Sequence, residues 1–399
     1  MKHLIIGNGV AGMAAAVELA KGGTGEVHVY SEEPYAYYYR PHVTDYLAGT
    51  MPLERVILRT EDWYARKGIT LHLGAPVTRL SPDAHTMTLA DGTKVEYDRL
   101  LCAAGSSPFV PPIPGREIRG VFTIRTLADA QAIREYAARC REAVVIGGGL
   151  LGLEAARGVQ TLGLQVSLVE LQPRLMPLQL DAEGAAILKA FVGGQGFAVY
   201  LADSVDVIVG EASVTGVTLS SGRELRAQLV IVAAGVRPNT ALAEAAGLEV
   251  SRGVQVDDAM RTSAPDIYAA GDAAIHEGRC WAIVPVAQAQ ARVAAANMAG
   301  GNERYRETPP ITALKVMGID VSSMGVVDPP EEGFTVVRRE NAAAFSYGKL
   351  LLHESRLAGA IVIGNKALAK QVEGMLLRGA PLDPAAAETM LQSAPEAAS

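Results

Sequence analysis

Cysteine is scarce in this 399-residue chain, which has only Cys102, Cys140 and Cys280. Their odd number, wide separation and lack of ligand-like spacing exclude a disulfide framework, a four-cysteine metal site and a CxxC redox centre, and no other metal site is expected. An excess of basic charge is missing too. With 36 Lys and Arg against 43 Asp and Glu, the net charge is -7. That is the wrong sign for a partner whose phosphates must be neutralised, so nucleic acid is excluded as the main partner. Uncharged apolar runs of about 18 residues, the minimum for a membrane helix, do not occur. The longest candidate, Ala282 to Gly301, carries Arg292 and several amides, so no membrane span is expected. The N-terminus lacks a charged leader, an apolar core and a cleavage site, because Met1-Lys2-His3 runs straight into Leu4-Ile5-Ile6. Together these absences predict a cytoplasmic protein.

Hydrophobic residues make up 49% of the chain and charged residues 20%, a globular balance. The length is too great for one ordinary core and predicts three domains. One pattern occurs twice. Leu4-Ile-Ile-Gly7-Asn-Gly9-Val10-Ala11-Gly12 is matched by Val144-Val-Ile-Gly147-Gly-Gly149-Leu150-Leu151-Gly152. Each copy follows a β-branched run and opens an Ala/Leu-rich segment of helical character, so both read as strand-turn-helix units.

A phosphate-binding turn needs glycine where the backbone approaches a pyrophosphate and where its helix packs on the strand, and the helix N-terminus attracts the anion. An acid about 20 residues on grips a ribose hydroxyl. In the first unit Glu32 and Glu33 both stand at the right place after the strand Val27 to Tyr30, with Ser31 directly after it, and Glu32 is the candidate chosen; Glu170 closes the strand of the second. A carboxylate at Glu170 repels a 2'-phosphate and favours NADH, with NADPH the less favoured nucleotide; Arg174 reads as a solvated surface charge.

The strand Leu100 to Gly105 leads into a proline-rich crossing at Pro108, Pro111, Pro112 and Pro114, and Leu229 to Gly235 is likewise followed by Pro238. The chain then returns through Asp266 to Asp272 and a helix from about Val286 to Met298. Short strands follow, and the tail from Pro381 is expected to fray. The expected fold class is α/β, with two Rossmann-like dinucleotide-binding domains and a small α/β C-terminal domain. Residues 1–110 and 236–305 form the first, 111–235 the second and 306–399 the last.

The two glycine turns, Ala103-Ala104-Gly105, Ala233-Ala234-Gly235 and Thr262 to Asp272 resemble the pyridine-nucleotide-dependent flavoprotein reductases. Within that superfamily the chain is similar to NADH:rubredoxin reductases and to the flavin-binding part of NADH-dependent nitrite reductases. Leu314 to Val321 and Leu357 to Gly364 extend the likeness into the last domain. The resemblance implies FAD on the first turn and NADH on the second. It also implies that Gly271 and Asp272 hold the ribityl chain, that Arg125 lies against FAD and that Val77 serves the adenine side. Arg40-Pro41 matches a Lys-Pro step whose cation pairs with a glutamate at the position of Glu154, here on the first turn of the second helix. Arginine can orient and polarise but is a poor proton donor, and a purely structural ion pair of Arg40 with Glu154 stands beside a catalytic role as an equal alternative.

Relatives that pass electrons through a thiol place cysteine where this chain has Tyr35-Ala-Tyr37-Tyr38-Tyr39, a cluster read as ordinary packing, as are Trp281 and His42. The expected reaction is hydride transfer from NADH to FAD, then electron transfer to a small carrier protein of the rubredoxin or ferredoxin kind. The alternatives are a diaphorase or oxidase acting on a small-molecule acceptor and an NADH-sensing binding module. Arg338 and Arg339 are candidate contacts for an acidic partner. The C-terminal domain is expected to cover the flavin, make a homodimer or dock the carrier.

Overall fold

The computed structural model describes residues 1–307, 309–329 and 332–393. Two compact units emerge. The first comprises Met1–Tyr46, Met51–Pro108 and Val236–Glu307, and the second contains Leu47–Thr50, Phe109–Gly235 and the C-terminal region.

In the first unit a parallel sheet runs in the order Ile267–Ala269, Arg99–Cys102, Lys2–Ile6, Glu26–Tyr30, Ile69–His72. Its central strand is buried on both faces, which is why it reads as a continuous apolar run. On one face Ile5, Val27, Val29 and Leu101 pack against helices Val10–Gly22 and Val284–Met298, whose Ala15, Ala16, Ala291 and Ala294 allow close approach. On the other, Leu4, Ile6 and Leu100 meet Leu80 and Met87 of a three-stranded antiparallel sheet, Val77–Ser81, Thr86–Leu89 and Lys94–Glu96.

The second unit repeats this plan. Its parallel sheet runs Ala198–Leu201, Gln165–Glu170, Glu142–Ile146, Leu229–Val232, Val121–Thr123, with a three-stranded antiparallel sheet from Val205–Gly210, Val214–Leu219 and Glu224–Arg226. The fifth strand precedes the glycine turn here, whereas in the first unit it comes from far downstream.

The C-terminal region forms an antiparallel sheet in the order Ile311–Val316, Ile319–Gly325, Arg356–Ile363, Ser346–His353, Phe334–Asn341. Leu350, Leu352, Ala360 and Val362 pack against Leu368, Val372, Leu376 and Leu391 of helices Lys366–Arg378 and Pro384–Ser393. The tail from Pro381 therefore does not fray over its described length. Ala387 and Leu391 are buried, and Arg339 Nη1 donates to the carbonyls of Leu391 and Gln392 at 3.0 and 2.8 Å. Residues 394–399 lie outside the described residues. The architecture is α/β, with two Rossmann-like parallel sheets, each accompanied by a three-stranded antiparallel sheet, and a smaller α/β region. Among the described residues no helix is long and apolar enough to cross a membrane.

Candidate active site

The two glycine turns superimpose in chemical detail. Gly7 has φ +104° and Gly147 φ +115°. A Cβ would stand 2.2 Å from the Ala103 carbonyl oxygen at Gly7 and 2.3 Å from that of Ala233 at Gly147. The last glycine of each motif packs its helix on its own turn: a Cβ at Gly12 would lie 1.8 Å from Gly7 O, and one at Gly152 1.9 Å from Gly147 O. These four positions are explained by packing within the chain.

Gly9 and Gly149 are different. Both are helix N-caps with ordinary φ of -81° and -76°, and among the described residues no atom beyond the two chain neighbours comes within 4 Å of where a Cβ would stand. Nothing inside the protein demands glycine there, whereas a pyrophosphate pressed against the backbone does. Neither helix has a side-chain cap or an acid in its first turn, so the N-H groups at Val10, Ala11, Leu150 and Leu151 are left for an anion. The residues present fit two dinucleotides.

In the first unit, Gly271 (φ +76°) closes on the first helix so tightly that a Cβ would lie 2.9 Å from Ala11 Cβ. Its N-H donates to Gln290 Oε1 at 2.9 Å. Asp272 is thereby delivered to the glycine turn, and its Oδ2 accepts from Ser106 Oγ at 2.9 Å. The loop at Ala104 and Gly105 is fastened by Asn239, which donates Nδ2 to Ala104 O at 2.8 Å and N-H to Gly105 O at 2.9 Å. No motif in the sequence marks Gln290, Ser106 or Asn239, because their roles depend on segments more than a hundred residues apart or on one face of a helix.

Arg40, at the head of a short turn containing Pro41, pairs with Glu33 Oε1 at 2.7 Å and donates Nη1 to Tyr38 Oη at 3.1 Å. Burial works against its charge, but Tyr38, Glu33 and then Asp272 outweigh burial and hold its pKa above the ordinary value. It is a permanent cation. Glu33 is the carboxylate turned inward; Glu32 is exposed beyond the strand, while Ser31 is buried and accepts Glu33 N-H at 3.2 Å. Val77 is half-buried in the apolar layer beneath the sheet. Tyr37 and Tyr38 are buried, Tyr37 in the core, and Tyr38 donates to Glu33 Oε2 at 2.5 Å. His42 Nδ1 lies 3.0 Å from Asp45 Oδ2, and Trp281 Nε1 donates to Glu307 Oε1 at 3.2 Å.

In the second unit Glu170 is 8% exposed, and its two oxygens accept N-H from Gly148 and Gln172, the latter at 2.7 Å. Its Cβ would lie 2.9 Å from a Cβ at residue 148, which explains a glycine where the first turn has Asn8. Asn8 instead accepts from Tyr64 Oη at 2.6 Å. Arg174 departs from expectation: it is not simply solvated but pairs with Asp328 at 2.7 Å and donates to Pro177 O at 3.3 Å. Arg338 likewise pairs with Glu183 within the chain, and Arg339 caps the last helix. Glu154 is the fifth residue of helix Leu150–Thr161, at the start of the second turn rather than on the first. Its Oε1 accepts Met317 N-H at 2.7 Å. Arg125 precedes a capping box at Thr126 and Asp129, with its N-H on Asp129 Oδ2 at 2.9 Å. Gly235 has φ +104°, and its carbonyl accepts Phe109 N-H at 2.9 Å.

All three cysteines are free thiols. Burial pushes Cys102 up to about 12 and raises Cys140; at Cys280 burial and then Asp272 do the same. All three sites favour the thiol over the nucleophilic thiolate.

Residues 1–291 match the pyridine nucleotide-disulphide oxidoreductase family, and residues 310–380 match the rubredoxin NAD+ reductase C-terminal domain. An assimilatory nitrate reductase electron transfer subunit of Bacillus subtilis is 36% identical over 91% of this chain, but the chain spans only 47% of that protein. Nitrite reductases matched by the chain are also about twice its length or more. An NADH-rubredoxin oxidoreductase of Clostridium acetobutylicum is 29% identical, covering 93% of each chain. Among solved structures, a covalent putidaredoxin reductase-putidaredoxin complex matches with a TM-score of 0.87 at 28% identity, covering 96% of this chain and 94% of that one. With two glycine turns that fit dinucleotides and a family match over most of its length, the chain belongs to the pyridine nucleotide-disulphide oxidoreductases.

Proposed function

We propose that this protein takes a hydride from NADH on its second glycine turn, stores the electron pair on FAD held by its first, and passes electrons to a small carrier protein of the rubredoxin or ferredoxin kind. The observation that carries the reading is the pair Gly9 and Gly149, glycines that nothing within the chain requires. Residues 1–110 and 236–305 are assigned to FAD, 111–235 to NADH and 306–399 to a C-terminal domain. When bound, FAD supplies a two-electron acceptor able to release its electrons one at a time.

The residues then divide the work. Gly7, Gly9 and Gly12 shape the FAD turn, Asp272 holds the ribityl chain, and the permanent cation of Arg40 orients and polarises without giving up a proton. On the NADH side, Glu170 takes the ribose hydroxyl. The Glu154 carboxylate favours the positive nicotinamide ring left when hydride departs. Both steps need fixed geometry more than acid-base chemistry. The carrier reading is supported by the match to the rubredoxin NAD+ reductase C-terminal domain and by the relatives' names. Three free thiols suit a cytoplasmic setting.

Anaerobic stopped-flow mixing of the yellow protein with NADH or NADPH, then with oxidised rubredoxin, ferredoxin, a quinone or air, tests this. The expected result is fast bleaching by NADH, slow bleaching by NADPH and rapid reoxidation only by a carrier protein. A protein that carries no flavin, or is bleached by neither nucleotide, refutes the reading. Fast reoxidation by air or quinone alone replaces the carrier with a small-molecule acceptor.

A further inference from the structure

Glu154 is gripped from an unexpected direction. The residue that donates to its Oε1, Met317, sits in the turn between the antiparallel strands Ile311–Val316 and Ile319–Gly325, far along the chain. Val316 pairs with Ile319, so the loop is two residues long, and both have positive φ, +51° at Met317 and +105° at Gly318. A two-residue loop of this kind is stiff and holds its peptide groups in fixed directions. The carbonyl of Met317 is held as well, accepting Gln195 Nε2 at 3.2 Å. Met317 itself is 1% exposed. The turn is thus clamped at both its N-H and its C=O by side chains of the second dinucleotide fold, and one of the two is Glu154.

We propose that the Met317-Gly318 turn is a positioning element for hydride transfer, which gives the C-terminal domain a part in the chemistry; the proposal rests on the assignment of Glu154 above. An unrestrained glutamate distributes its charge over several rotamers. A main-chain donor on a stiff turn favours one of them through a charge-assisted hydrogen bond. The step it serves balances without a proton from Glu154: the C-H bond at nicotinamide C4 breaks, hydrogen leaves with both electrons to the flavin, and the ring is left with one positive charge. A carboxylate held in advance stabilises that charge without reorganising during the step.

A double-mutant cycle tests this in the intact, FAD-loaded protein. Among the described residues a Cβ at Gly318 would meet only Arg157 Nη1, at 3.9 Å, so Gly318→Ala strains the turn through its φ without a clash. Gly318→Ala, Glu154→Ala and the double variant are compared by limiting rate of flavin bleaching, NADH dissociation constant, long-wavelength absorbance of the reduced protein with NAD+, and melting temperature. Gly318→Ala is expected to slow bleaching about five- to tenfold and weaken the absorbance band, with the dissociation constant within about twofold. On the Glu154→Ala background it has no further effect on rate or band. No effect of Gly318→Ala, or the same factor on both backgrounds, overturns the positioning role while leaving Glu154 in place. Wild-type bleaching and absorbance in Glu154→Ala overturn the assignment of Glu154 and the positioning role with it.

Discussion

The glycines of each turn are not interchangeable, and their differences are measurable. Gly9→Ala adds a methyl group where, among the described residues, no atom beyond the two chain neighbours stands within 4 Å. The apoprotein's stability is expected to change by about 1 kcal/mol or less, while the FAD dissociation constant rises at least about tenfold because the methyl occupies the pyrophosphate's place. Gly12→Ala puts a methyl 1.8 Å from a backbone oxygen that cannot move independently. That variant is expected to lose more than about 4 kcal/mol of stability, read by denaturant titration. Glu170 has two tasks, holding Gly148 N-H and presenting a negative charge at the strand end. Glu170→Ala is expected to cost about 1–3 kcal/mol in stability. It should also reduce the preference for NADH over NADPH about tenfold or more, measured as the ratio of bleaching rates at low nucleotide concentration.

At the scale of elements, the helix Ala182–Gly194 is capped by Asp181, whose Oδ1 accepts Gly184 N-H at 3.0 Å. The other oxygen is held from the C-terminal sheet, by Lys349 Nζ at 2.8 Å and Tyr347 Oη at 2.7 Å. Burial alone would raise the Asp181 pKa, but Lys349, Tyr347 and Gly184 together hold it below the ordinary carboxylate value. A depressed carboxylate contributes stability above its unfolded pKa, about 3.9, and that contribution disappears as the pH falls through the folded value. Chemical denaturation at pH 7 and at pH 3 should therefore show a larger acid loss in the wild type than in Asp181→Asn. Lys349→Met leaves the carboxylate buried without its cation and is expected to cost about 3–5 kcal/mol at neutral pH. A loss below about 1 kcal/mol would show that the pair is not sealed from water.

Across the whole molecule, the proposed function gives each of two parallel-sheet folds of the same design one nucleotide, and ligand binding should stabilise each locally by mass action. Hydrogen exchange followed by peptide mapping provides the check. Excess FAD added to the apoprotein is expected to protect peptides around Gly7 to Gly12, Ala104-Gly105 and Gly271-Asp272. NAD+ is expected to protect Gly147 to Gly152 and the end of the strand at Glu170. Protection of both sets by one nucleotide alone would refute the division of labour between the turns.

Much of this design can be read directly from the chain. The repeated turns, the strands before them and the helices after them rest on local rules: glycine at φ values that other residues avoid, β-branched runs in buried strands, helices opened without a competing cap. The place of Glu170 at the end of its strand was legible for the same reason, since it lies at a fixed offset from the turn. Three readings were not available locally. The choice of Glu33 over Glu32 as the inward carboxylate depends on where Arg40 and Tyr38 arrive. The pairing of Arg174 with Asp328 and of Arg338 with Glu183 joins residues about 150 positions apart. The tail after Pro381 looks frayed in composition, yet two of its side chains find a sheet to cover. The duplicated nucleotide-binding scaffold is written in the chain itself, because its signals lie within a few turns of one another. Which groups hold Asp272, Arg40 and Glu154 follows from the folded structure alone, because hydrogen bonds and ion pairs follow distance in space, on which separation along the chain has no bearing.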